Sequence, residues 1–220
     1  MCNRGPSMLE LIWRFELASL DDESVVRPLM AALEEVPDFS PDEYDLNQKE
    51  QWRTFDLDRA VVDALTQRTQ LVRIADRSRD QLALVALGKH DEQPTAIVRL
   101  QEGEQPELEK LVAAWPELYE SLPLESTLVS SSNWRRALLE ADLPRELTGD
   151  LLGMVFGWRR GAEPSGLTEV AEQIEANAPA RLDREANHLV LWLTDAPRVG
   201  GADHRRTLRA VARTLSRAGA

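Results

Sequence analysis

Three histidines and one cysteine are the side chains from which this 220-residue sequence could most readily build chemistry, and their spacing does not favour it. His90 stands beside Asp91 and Glu92, a combination able to move protons or hold a metal. Those three residues occupy a polar stretch between two apolar runs, where a hairpin tip needs polar residues whatever the function. His188 opens an apolar run and His204 follows Asp203 at a helix start, both ordinary places for a solvated or hydrogen-bonded ring. Cys2 with scattered histidines makes no zinc set. Ser130, Ser131 and Ser132 have no base beside them in sequence, and helix capping accounts for them. The glycines at 153, 157, 200 and 201 lack the spacing and the following lysine or helix start of a phosphate loop, and read as turns or bends. The expectation is no catalytic residue, no metal and no cofactor. Two alternatives stay open: an enzyme whose site is assembled from distant residues, such as His90 with acidic neighbours, and a non-catalytic scaffold or oligomeric interaction protein.

Charge separates the functions more sharply. Residues 1–130 carry 26 acidic and 13 basic side chains and residues 131–220 carry 12 and 13, so the net charge of −12 arises entirely in the first part. Such a surface repels phosphate backbones and attracts basic proteins over long range. The expected partner is therefore a basic protein, with no nucleic acid and no membrane. Arg205, Arg209, Arg213 and Arg217 do form a stripe at four-residue spacing. That stripe lacks the interleaved aromatics of a nucleic-acid platform and reads as a solvated face suited to a helix C-terminus.

The segment 37–54 is acidic, holds Pro37 and Pro41 and shows no clear period, so it reads as a long loop carrying Phe39, Tyr44 and Trp52. Of the six tryptophans, Trp13, Trp115, Trp134, Trp158 and Trp192 fall on apolar faces, and Trp52 is the exception. A large aromatic with a charged rim has the composition of an interface anchor. Asp42, Glu43, Tyr44, Asp45, Glu50 and Trp52 are accordingly the candidate partner-binding residues.

The elements that would position them follow from periodicity. Leu9, Leu11, Trp13, Phe15 and Leu17 alternate with polar residues as a strand, and Val25, Val26, Leu29, Met30 and Leu33 share a helical face capped by Ser24. A helix over 57–65 is followed by a meander of strands at 70–76, 81–87 and 95–101. Pro106 opens an amphipathic helix through Trp115 and Tyr119, which Pro116 would at most kink. A short strand at 127–130, a helix capped by Ser132, a buried strand at 151–158, a turn-rich linker at 161–166, a helix through Val170 and Ile174, a strand at 188–194 and a last helix capped by Asp203 complete the chain. Together these give one α+β domain over 1–220, a single mixed or largely antiparallel sheet with helices packed on it. Residues 1–7 read as a disordered extension ahead of Met8, and any seam falls near 120–132. Arg4, Glu10, Arg14 and Glu16 interrupt any secretory apolar stretch, and the longest apolar runs are far shorter than a membrane span, so the expected location is the cytoplasm.

The order of the second half is LLGMVFGWRRG at 151–161, a helix, NHLVLWLTDAP at 187–197 and DHRRTLRAVARTL at 203–215. It resembles bacterial polymorphic-toxin immunity proteins, in particular immunity-protein family 52, although Arg159 and Arg160 depart from the apolar continuation expected there. The resemblance implies a non-enzymatic inhibitor that binds a cognate secreted toxin, often a nuclease, in the cytoplasm. An acidic protein suits that role, because a toxin shaped to hold nucleic acid offers a basic cleft.

Overall fold

A computed structural model describes residues 8–16, 23–67, 69–87, 95–101, 108–131, 134, 153–161, 167–177, 180–193, 206–211 and 213. Alternation at the start of the chain makes β1 (Met8–Phe15), which runs through the middle of the sheet. The strands that follow are β2 (Glu43–Leu46), β3 (Arg53–Thr54), β4 (Leu71–Asp76), β5 (Gln81–Ala86), β6 (Thr95–Gln101), β7 (Leu124–Ser131), β8 (Val155–Arg159), β9 (Arg181–Arg184) and β10 (His188–Trp192). They form one ten-stranded sheet in the order β3-β2-β4-β5-β6-β1-β7-β8-β10-β9, with every pairing antiparallel. The expected α+β class is the observed one, with a sheet that is wholly antiparallel. The stretch 120–132 holds the end of a helix and β7, which bonds to β1 on one side and β8 on the other.

Register divides the sheet into two unlike faces. The row Tyr44, Ile74, Ala83, Val98, Leu11, Val129, Val155 and Trp192 crosses eight strands and is buried throughout. The next row, on the opposite face, runs Asp45, Arg73, Leu84, Ile97, Ile12, Leu128, Phe156 and Leu191. Its β5, β6 and β1 members are only half-buried, whereas its β8 and β10 members are buried. Period-two alternation thus produces a core face and a second face that is more open over β4, β5, β6 and β1 than at β8 and β10.

The helices are α1 (Glu23–Glu34), α2 (Leu57–Thr66), α3 (Leu108–Ala113), α4 (Trp115–Ser121) and α5 (Leu167–Asn177), and residues 206–211 are also helical. In α1 the buried stripe is Val26, Leu29, Met30 and Leu33. The helix continues through Pro28, and Ser24 is its second residue instead of its cap. Asp56 caps α2 by accepting from the Arg59 N–H at 2.9 Å. Where one kinked helix was expected, Pro116 separates α3 from α4, because it cannot donate to the carbonyl four residues back. At the next helical residue Ser131 Oγ accepts from the Trp134 N–H at 3.0 Å.

Gly157 explains how α4 seats on the core face. A Cβ there would lie 2.7 Å from the Trp115 ring and 2.6 Å from Thr127 Oγ1, so only glycine lets the indole press onto the strand. Beside it Tyr119 stacks flat on His188, at 4.6 Å between centroids and 12° between planes, and its hydroxyl meets Thr127 Oγ1 at 3.0 Å. Arg159 ties off the same junction, donating to the carbonyls of Tyr119, Leu122 and Leu124. The residue that departs from the family-52 pattern thus closes the C-terminal end of α4.

The two ends of the sheet are finished differently. At β9 the Leu182 N–H donates to Glu175 Oε1 of α5 at 2.9 Å, and its carbonyl accepts from Arg184 Nη1 at 3.1 Å. Arg184 also pairs with Glu172 and Glu175. Side chains therefore occupy the backbone groups that an incoming strand would use.

Two expectations are corrected by the sheet. The segment 37–54 is not a structureless loop, since it holds β2 and β3, and β9 occupies a stretch where no strand was expected. The last strand ends at Trp192. Residues 1–7, the group His90, Asp91 and Glu92, Pro106, Ser132, Gly200, Gly201, Asp203 and His204 lie outside the described residues.

His188 is 1 % exposed. Burial, aided by Arg160 and Arg159, holds its imidazole below the ordinary value of 6.5, against the opposing pull of Glu185. The unfolded chain therefore binds the extra proton first, so His188's contribution to stability is complete above pH 6.5 and declines as the pH falls below it. The urea midpoint should drop between about pH 7.5 and pH 5. His188→Phe, which keeps a ring on Tyr119, should flatten that drop, and parallel curves for the two proteins would contradict the assignment.

Candidate functional site

β2 is a strand because of two residues on each side. Tyr44 and Leu46 enter the core, while Glu43 and Asp45 point to the open face. Tyr44 is fully buried, sits edge-on to Phe55 at 6.4 Å and donates its hydroxyl to Asp63 Oδ2 of α2 at 2.7 Å. Burial and that carboxylate together raise the phenol above its ordinary value. Asp63 also pairs with Arg53, so β3 and α2 are joined through one carboxylate.

Asp45 lies on the open face yet is 1 % exposed. Burial alone would raise its carboxyl, but the Arg73 guanidinium and the Gln51 N–H outweigh burial and hold it below the usual carboxylate range. Arg73 reaches across from β4 and donates through Nε at 2.9 Å and again through Nη2. The Gln51 bond at 3.0 Å fastens the turn between β2 and β3 to the same carboxylate. In that turn Asn47, Gln48 and Glu50 all take left-handed backbone angles, with φ of 55°, 57° and 56°. Asn47 Oδ1 anchors the turn to β4 by accepting from Gln70 N at 3.0 Å. Residues 47–51 are exposed, so the turn projects from the sheet edge on a fixed base.

Trp52 follows this turn and is half-buried on the open face. Arg73 and Arg77 both approach its ring, with guanidinium carbons 4.9 Å and 4.0 Å from the centroid. Arg77 is held in turn by Glu43, which accepts from Nε at 2.7 Å, and by Asp42, whose carboxylate accepts from the Arg77 backbone N–H at 3.1 Å. In the adjoining turn Arg79 donates to Asp38. The Asp76 carboxyl, buried beside them, would be raised by burial but is kept below its usual range by Ser78, the Ser40 N–H and the Arg79 N–H.

The sequence-predicted set is thus split. Glu43, Asp45 and Trp52 share one face, Asp42 braces it, Glu50 stands on the exposed turn, and Tyr44 faces away into the core. Glu43 and Asp45 are paired with arginine side chains instead of offering free charge, and Asp42 accepts a backbone N–H. The arginines were missed, although the alternation of β4 places Arg73 opposite the buried Val72 and Ile74 and carries Arg77 onward on the same side. Exposed acids that form no ion pair among the described residues lie elsewhere, at Glu34 and Glu35 near the end of α1 and at Glu109, Glu117 and Glu120 of α3 and α4.

Among the described residues no group of three or more histidine, cysteine, aspartate or glutamate side chains is arranged to hold a metal ion. Nor is any described helix long and apolar enough to cross a membrane. The arrangement at the β2 end is an aromatic plate held between guanidinium groups, a surface suited to close contact.

The fold resembles that of the Pseudomonas aeruginosa T6SS protein PA0821, with a TM-score of 0.57 and 12 % identity over 97 % of this chain and 75 % of that one. At that identity the likeness is one of fold. No protein-family model and no curated protein matches the sequence, so the resemblance to immunity-protein family 52 is not supported by a family match.

Asp45→Ala should cost about 3 kcal/mol in urea unfolding, the lower end for a buried ion pair because Arg73 keeps some contact with water. Glu50→Lys on the exposed turn should change stability by less than about 0.5 kcal/mol. Similar small costs for both would show that this pair does not hold the edge.

Proposed function

We propose that this chain is a non-catalytic, immunity-type protein that binds and neutralises a toxin delivered by a secretion system, acting in the cytoplasm of the cell that makes it. The observation that carries this reading is the β2 edge. A tryptophan and two arginines are fixed on an open sheet face beside an exposed, rigid turn, and tryptophan and arginine are the residues on which protein interfaces most depend. At the opposite edge Glu175 and Arg184 take up the backbone groups of Leu182, whereas the edge strand at this end is the two-residue β3.

The structural neighbour is a T6SS protein, which supports a secretion-system setting, and the net charge of −12 supports a basic partner. A nuclease toxin is the kind of protein that presents such a surface. In this reading the acids of α1, α3 and α4 supply long-range attraction, while the arginine-paired edge supplies close contact.

The test is co-expression with the toxin domain of a modular secreted protein, sought first among the products of the neighbouring genes. The chain should restore growth of cells producing that domain, and the two should co-purify. Replacing Glu34, Glu35 and Glu50 with lysine should slow association roughly tenfold or more at low ionic strength. Failure to rescue and to bind would remove the reading; rescue with unchanged association rates would remove its electrostatic part.

A further inference from the structure

Arg77 differs from the other arginines of the edge in what it leaves unused. Arg73 is committed to Asp45 through two nitrogens and its side chain is 19 % exposed, whereas Arg77 bonds through Nε alone and its side chain is 50 % exposed. Arg53 and Arg79 each place a terminal nitrogen on an aspartate. Among the described residues neither terminal nitrogen of Arg77 meets an acceptor. The group is nevertheless fixed at three points: its backbone N–H on Asp42, its Nε on Glu43 and its plane over Trp52.

A guanidinium carries five N–H donors in a planar fork, and a carboxylate matches two of them at once. For a mobile arginine, much of that gain is lost in ordering the side chain. Here the ordering is already done, and the end of the fork remains free. We propose that Arg77, backed by Trp52, is a docking site for one aspartate or glutamate side chain of the partner protein. This rests on the function proposed above and names the chemistry of its contact.

The surrounding charges choose a protein carboxylate over a nucleic-acid phosphate. Glu43 lies on the Nε of the fork, Asp42 on the Arg77 backbone N–H and Glu50 on the neighbouring exposed turn, so a run of phosphates would meet repulsion around the one attractive point. A single carboxylate set among cations fits instead, its charge on Arg77 and its neighbours on Glu43 and Glu50. A basic toxin with one acid in its contact surface has that pattern, and the reversed sign at one position fixes the register of docking.

The experiment uses the full chain and the toxin domain that it neutralises in the co-expression test, with affinity measured by calorimetry. Arg77→Ala should weaken binding about tenfold to a hundredfold. Arg77→Lys, which keeps the charge but not the fork, should recover only part of that loss, and Trp52→Leu should weaken binding about tenfold or more. Each variant should unfold in urea with a midpoint near that of the unmodified chain, and Arg79→Ala should bind within about twofold of it. Among alanine replacements of the toxin domain's aspartates and glutamates, one should lose its effect once Arg77 is replaced. Binding within twofold for both folded Arg77 variants, or no acid coupled to Arg77, would overturn the site and leave the toxin-binding function standing. Absence of any complex with the unmodified chain would overturn both. Tight binding of a single-stranded DNA oligonucleotide that Arg77→Ala abolishes would overturn the choice of a protein carboxylate.

Discussion

A carboxylate that is almost wholly buried must be met by a cation, and at the end of this sheet Asp45 is met by Arg73. Removing either charge would leave the other desolvated, which is why such pairs tolerate little change once formed. The pair ties β2 to β4 across the open face, and the second oxygen of Asp45 takes the Gln51 N–H and so sets the path of the turn. Trp52 is then laid against the outer side of Arg73, and Arg77 against Trp52. Each of these contacts presupposes the one before it. The exposed surface at this edge is thus built outward from a buried ion pair.

This ordering gives the charge of the molecule two separate uses. Near the β2 end these acids are structural, since Asp38, Glu43, Asp45 and Asp63 each pair with an arginine side chain and Asp42 accepts the Arg77 backbone N–H. The exposed acids of α1, α3 and α4 remain to shape the field around the molecule. Attraction over distance and grip at contact are in this way assigned to different elements, which lets a wide sheet be acidic without leaving its edge strand to repel its neighbours. The far edge solves another problem: Glu175 and Arg184 take up the backbone groups of Leu182, so the sheet does not extend by adding strands there.

Much of this was legible in the sequence, and what was not has a common physical cause. The alternation of β1 and the meander β4 to β6, the helical stripes of α1 and α2 and the apolar run of β8 and β10 all declare themselves, because burial on a regular face demands a regular pattern. EYDL and RLDR do not, since each is only four residues long and its apolar side chains alternate with or adjoin charged ones, too short a pattern to stand out. β2 is recognisable only when Arg73 is known to cover Asp45, a contact 28 residues away in sequence. Trp52 stood out because it lay on no apolar face, and it is indeed half-exposed. Tyr44, grouped with it by proximity, lies on the other side of the strand, as the two-residue period of a strand requires once the strand is seen.

The most direct measurement is amide hydrogen exchange of the chain alone and in complex with the toxin domain that it neutralises on co-expression. If the β2 end is the contact surface, amides in 43–54 and 71–80 should gain protection on binding, while those of α5 and β9 stay as they were. Protection gained at α5 and β9, with the β2 edge exchanging at its free rate, would contradict the account.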